Sequence, residues 1–328
     1  MNEQKGFLDR QPGFIQFMIF GLLIFACSAI CVQISFVLIK PLFGIDGADL
    51  LITKATNHPE ELKGSMNEIN ALKFIQLFSS LGMFLFPGLI FGLTKNVGGD
   101  FLKLKTKTSA KMILLAMAII FLSAPIVNEI YLLNKQLDPK AFGQIGKLLT
   151  DSEKQNEMLT TVFLYMPGVT DFLINIFIIA LIPAIAEELF FRGVLQQFFK
   201  TTFKNAHVAV WLTAIVFSLF HADFNGFIPR VFLGALLGYL FVWGNSLWVN
   251  IGAHFINNAS QVVMVYLFQS GISSFDAQSD ENSPWYVTLI FTIVMIALLI
   301  IFYRKRFVEI IPEPDHTFNA FTTSDNNG

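Results

Sequence analysis

Apolar residues fall in long blocks along this chain, with short polar connections between them. The blocks span 14–39, 74–93, 112–133, 170–199, 207–221, 227–243, 247–268 and 285–303. Several reach the roughly 20 residues that a helix needs to cross a hydrocarbon core about 30 Å thick. The pattern therefore predicts an all-α polytopic membrane protein with about eight transmembrane helices. Pro87-Gly88 is expected to kink the second span, and Phe224-Asn225-Gly226-Phe227 reads as a turn within the membrane, after a fifth segment that starts deep, tilts or is short.

The connections carry their own signals. In the polar stretch 43–73, Asn57-His58-Pro59-Glu60-Glu61 reads as a helix start: a capping residue, an early proline, then acids near the positive end of the dipole. The polar segment 134–161 places Phe142, Ile145, Leu148 and Leu149 near helical spacing, which suits a helix lying on the membrane face or an ordinary amphipathic loop helix. An acidic loop with Asp276, Asp280 and Glu281 precedes the last span, and Arg304-Lys305-Arg306 closes it. The chain divides into an amino-terminal segment 1–13, membrane helices with an outer amphipathic segment 14–169, a core 170–268, a last span with its acidic loop 269–307, and a tail 308–328 whose low hydrophobicity predicts disorder.

Composition agrees with the pattern. Of 328 residues, 54% are hydrophobic and 14% charged, with 37 Phe and a mean hydropathy of +0.60; a soluble domain carries about 25% charged residues. A net charge of -2 gives no electrostatic case for nucleic acid. Cys27 and Cys31, the two cysteines, lie one helical turn apart in an apolar run and read as packing residues. The first apolar run is too long for a signal-peptide core and is expected to remain as an anchor. Lys95, Lys103, Lys105, Lys107 and Lys111 crowd one connection that has a single acid, Asp100. By the positive-inside rule that connection is cytoplasmic, which places both termini in the cytoplasm of a plasma (inner) membrane protein.

Against this background the string Ala186-Glu187-Glu188-Leu189-Phe190-Phe191-Arg192-Gly193 stands out, because each charge costs about 2.5–3.5 kcal/mol at the centre of a membrane helix on insertion scales. Glu188 and Arg192, at i and i+4, share a face and can pair; Glu187 is rotated by about 100° and is left without that partner. His221 ends the fifth block, and His254 and Asn258 share a face of the seventh. His58, His207 and His316, the other three of five histidines, fall in polar segments or at a span end and read as solvated or interfacial. Taken singly, either membrane His, Asn258 or the Glu188–Arg192 pair is equally well a helix–helix contact. Together they resemble what peptide hydrolysis by water requires: a carboxylate and an imidazole to polarise the water, and neutral donors for the oxyanion. No serine or cysteine nucleophile motif and no H-E-x-x-H zinc signature is present.

Glu187-Glu188-x-x-x-Arg192, Phe217-x-x-x-His221 and His254-x-x-x-Asn258, in order on successive apolar blocks within 171–268, resemble the three motifs of the CAAX-protease and bacteriocin-processing (CPBP/Abi) family of intramembrane glutamic endopeptidases. The resemblance implies Glu187 as general base acting with His221 on the water, His254 and Asn258 at the oxyanion, and Glu188 with Arg192 as buttress. It implies no cofactor and a peptide or membrane-associated protein as substrate, within a lipid bilayer. A zinc site of Glu187, His221 and His254 is the minority expectation. The functional alternatives are a non-catalytic bacteriocin-immunity or scaffold protein and, further off, a proton-coupled transporter. The polar cavity is expected to open to the cytoplasm; substrate identity and oligomeric state are not legible.

Overall fold

The computed structural model describes residues 6–95, 100–275 and 283–306. It is helical throughout, with no strand among the described residues. Asp276, Asp280, Glu281, His316, the tail 308–328 and the side chains of Phe142 and Leu149 lie outside what is described.

Among the described residues, eight helices run along the bundle: α1 (Gly13–Phe43), α3 (Met66–Thr94), α4 (Ala110–Asn134), α6 (Val169–Phe203), α7 (Ala206–Leu219), α8 (Phe227–Gly244), α9 (Leu247–Gln269) and α10 (Trp285–Lys305). Two more lie in the connections, α2 (Ala48–Asn57) and α5 (Gly143–Phe163). Among the described residues, six helices are long and apolar enough to cross a membrane; α7 is short at 14 residues, and α9 falls outside that set. α7 ends just short of His221, and α9 carries the polar residues Asn250, His254, Asn257 and Asn258 along its length.

Two expectations about the amino half need correction. The stretch 43–73 contains α2, a 3-10 turn at Pro59–Gly64 and the first turns of α3. Asn57 closes α2, so the acids Glu60 and Glu61 open only the 3-10 turn; the true cap is Ser65, whose side chain accepts from the Glu68 amide. Periodicity missed the start of α3 because Lys73 is fully buried beside Ile69, Ala71 and Leu72, where a lysine reads as solvated.

Proline explains the irregular turns. Pro87 and Pro183 lack an N–H, so the carbonyl four residues earlier loses its partner, and the turn before each widens into π geometry at Leu81–Leu85 and Ile176–Leu181. A third π stretch, Leu189–Gln196, follows Glu188 without a proline in it. Close crossings rest on glycine: a Cβ on Gly82 would meet Cys31 Cβ at 2.8 Å, and one on Gly238 would meet Val210 Cγ1 at 2.9 Å. Both cysteines are free and pack at the α1–α3 crossing.

α7, at 14 residues, is about 21 Å long at 1.5 Å per residue, shorter than a roughly 30 Å hydrocarbon core. Its end, and the turn 220–226, therefore sit within the bundle at the depth of mid-α6, and that is how a late residue on an outward-running segment reaches Glu187. Ala222 adopts a left-handed backbone (φ 47°), which reverses the chain directly after His221; a non-glycine residue there costs about 1–2 kcal/mol.

Candidate active site

The α6 charges fall midway along its 35 residues, where the helix changes from α to π. Glu188 and Arg192 are fully buried and paired, Nη1 to Oε1 at 2.6 Å. Arg192 also donates through Nη2 to the Gly234 carbonyl of α8 at 3.1 Å, and its guanidinium lies 5.0 Å from the Phe217 ring centroid. One turn on, Gln196 donates to the Gly238 carbonyl at 3.0 Å, so two α6 side chains dock on successive small residues of α8.

α9 supplies the rest of the cluster. Asn250, fully buried, donates to Glu188 Oε2 at 3.2 Å and to the Leu237 carbonyl at 2.7 Å. His254 lies 2.8 Å from Glu188 Oε1 through Nδ1. A carboxylate only accepts, so Nδ1 carries the proton, and in the neutral ring Nε2 is left with its lone pair. That Nε2 faces Glu187 Oε2 at 3.8 Å. Glu188 thus collects Arg192, Asn250 and His254 and is fully buried, while the Glu187 side chain is 13% exposed.

Phe217 links the second motif to this cluster, with ring centroids 4.8 Å from His221 and 6.0 Å from His254. The His221 Nδ1 donates to the Phe217 carbonyl at 2.8 Å, which again directs a neutral Nε2 outward as an acceptor. His221 interacts electrostatically with both Glu187 and His254. Asn258 lies one turn beyond His254; its Oδ1 accepts from Asn257 at 3.1 Å, which leaves its own amide hydrogens to donate elsewhere. The structure gathers Glu187, Glu188, Arg192, His221 and His254, with Asn258 one turn along α9 from the centre.

Asn250 is the residue that sequence reasoning passed over. Its signal was present: 250, 254 and 258 form an i, i+4, i+8 stripe of polar residues on one apolar helix. Nδ1 is engaged in both His221 and His254, which leaves each Nε2 free, and among the described residues no group of three or more His, Cys, Asp or Glu is placed to hold a metal ion.

His221 forms one wall of a polar cavity of about 810 Å³, shared with Glu153, Asn156 and Thr160 of α5, Lys135 at the end of α4, and Arg230 of α8. These elements all belong to the end of the bundle opposite the lysine-rich connection, which overturns the expectation that the cavity opens on the lysine-rich side. At that other end, Leu247 and Trp248 of α9 and Gln197 of α6 are tied to the 101–104 backbone, which closes it.

Fold and cluster together define a polytopic helical membrane protein with a buried Glu–Arg–His–Asn lattice beneath a polar cavity. Residues 169–260 match the family model described as Rce1-like, a type II CAAX prenyl endopeptidase Rce1-like family, which supports the CPBP/Abi resemblance of the three motifs. The matched segment holds every residue of the cluster. The Bacillus subtilis (strain 168) protein YpbD, itself described as uncharacterized, is 33% identical over 89 residues, 26% of this chain and 42% of that relative. The chain thus aligns with less than half the length of this relative. No solved structure matches the chain.

Proposed function

We propose that the chain is an intramembrane endopeptidase of the CAAX-protease type, in which water held at Glu187 attacks a peptide carbonyl. The observation that carries the reading is the aim of His254: its Nδ1–H donates to Glu188 at 2.8 Å, which leaves Nε2 facing the Glu187 carboxylate at 3.8 Å. A gap of that length suits groups that share a water between them.

In this reading Glu187 accepts one proton of the water, and a neutral Nε2, of His254 or of His221, accepts the hydrogen bond from its other hydrogen and orients it. Both tautomers make these rings acceptors, so neither donates to an oxyanion until it is protonated. The amide hydrogens of Asn258 are neutral donors on the same face of α9. A proton that reaches His254 becomes an Nε2–H next to Glu187, available to the oxyanion or to the leaving amine. Glu188, Arg192 and Asn250 position the lattice and do not touch substrate. With the lysine-rich connection in the cytoplasm, both termini are cytoplasmic and the cavity opens on the outer side.

The test is a cleavage assay on purified full-length protein in lipid nanodiscs with a randomised quenched-fluorescence peptide library. Glu187→Ala and His254→Ala should each lower turnover by at least about 10²-fold, the range of general acid–base catalysis, while the melting curve stays that of a folded protein. Wild-type turnover retained in folded Glu187→Ala would sink the reading.

A further inference from the structure

Outside the catalytic lattice, a polar cluster joins α5 to the turn that carries His221. Asn156 Nδ2 donates to the His221 carbonyl at 3.2 Å. One turn earlier on α5, the Glu153 carboxyl shares a hydrogen bond with Asp223, two residues after His221, and another with Asn225. Asp223 is paired with Arg230 at 2.5 Å and accepts from the Gly226 amide at 2.9 Å. From the other side, Asn134 at the end of α4 donates to the Phe224 and Asn225 carbonyls at 2.7 and 2.8 Å. The turn is thus held between α4 and α5, and α5 forms a wall of the cavity.

We propose that α5 is a latch on the His221 turn, and that Glu153 and Asn156 are positioning residues which hold His221 in its working place only while Glu153 and Asp223 share a proton. The proposal rests on the endopeptidase reading for its effect on turnover, and on the α5–turn contacts for the latch itself. Two carboxyl groups in hydrogen-bond contact cannot both ionise without strong repulsion. The other titratable groups facing the pair are Glu157 on α5, Tyr131 on α4, Lys135 just beyond its end, Arg230 on α8 and His221 on the turn. Arg230 is committed to Asp223, and Glu157 adds to the repulsion. Burial, followed by the Asp223 charge, pushes Glu153 up to about 7. Burial opposes ionisation of Asp223 as well, but Arg230 and the Gly226 amide outweigh it and hold that carboxyl low. The proton therefore resides on Glu153. Its loss near neutrality places a second negative charge against Asp223 and releases α5 from the turn.

α5 also has the amphipathic character such a role needs. Ile145 and Leu148 are each 67% exposed, away from the cavity, while Glu153, Asn156, Glu157 and Thr160 line it.

Two measurements on the full chain in lipid nanodiscs test the latch. The first is hydrogen–deuterium exchange of the α5 and 220–226 peptides, corrected for intrinsic rates. A carboxyl near 7 when latched and near 4.5 when free makes the opening equilibrium about tenfold larger at pH ~8 than at pH ~6. Exchange in both segments should rise accordingly in the wild type and stay flat in Glu153→Gln, which keeps a donor to Asp223 without the charge. The second is the pH profile of peptide-library turnover: the wild type should lose activity on a basic limb near neutrality, and Glu153→Gln should lose that limb alone while keeping the acidic limb set by the catalytic base. Asn156→Ala should lower turnover at every pH without moving either limb. Equal pH response of exchange in the wild type and Glu153→Gln overturns the latch. A wild type that cleaves nothing at any pH overturns the endopeptidase reading instead, and the exchange measurement then decides the latch by itself.

Discussion

The Glu188–Arg192 pair offers the sharpest energetic test. Both side chains are fully buried, and Glu188 accepts from Arg192, Asn250 and His254. Arg192→Met removes the cation and leaves a carboxylate without its strongest partner in a low-dielectric bundle. Breaking a buried pair from one side in this way costs about 3–5 kcal/mol. At about 2.1 cal/mol/K of unfolding entropy per residue, a chain of 328 residues converts that to a fall of about 4–7 °C in the melting midpoint. The double variant Glu188→Gln, Arg192→Met removes both charges, and its amide oxygen can still accept from His254 or Asn250. It should recover most of the lost stability, because exchanging a whole buried ion pair for neutral groups of similar size is close to neutral. Thermal melts in detergent, read by intrinsic fluorescence and by monodispersity after heating, measure both. A single variant as stable as the wild type, or a double variant no better than the single, would refute the argument that the pair exists to neutralise Glu188. The double variant should nevertheless be poorly active, since a neutral amide in place of the Glu188 carboxylate holds the His254 ring less firmly.

Gly238→Val would push a side chain into Val210 Cγ1, 2.9 Å from the Cβ position, and into Gln196 Oε1 at 3.1 Å. It should destabilise by the about 1–3 kcal/mol typical of overpacking and separate α7 from α8, visible as a lower melting midpoint and loss of monodispersity. Glu153 gives stability a pH dependence whose sign is fixed. Its folded value of about 7 lies above the ordinary 4.5, so the folded state binds more protons between the two. Stability should fall as pH rises through that window and level off above it, and Glu153→Gln should abolish the slope. The Asp223 carboxyl, held below its ordinary 3.8, acts at lower pH and with the opposite sign, so the two windows do not overlap.

Much of the architecture was legible because membrane burial simplifies the code. An apolar block has one use in this chain, and the expected span at 285–303 corresponds to α10 within two residues. The beginning of α3 was obscured by Lys73, since a lysine reads as solvent whether or not tertiary structure buries it. The site was legible as a set of residue types in unsuitable surroundings: Glu188 and Arg192 had to pair, and they do. The side on which the cavity opens was not, because it depends on α5 folding back over the His221 turn, a contact 65 residues apart in the chain that no local pattern encodes.

The short α7 and the polar α9 belong to the same physical problem as the charges on α6. A residue can work on water inside a membrane only where the bundle admits water, and each element here gives up apolar length or apolar character to make that place. α7 stops after 14 residues, which sinks the His221 turn to the level of Glu187. α9 keeps its full length but exchanges apolar residues for Asn250, His254 and Asn258 along one face. α6 retains both and neutralises its excess charge internally, through Arg192 on one side and the α9 donors on the other. α7, which is apolar but short, and α9, the two helices outside the set of six clear spans, are the ones that complete the site that α6 begins.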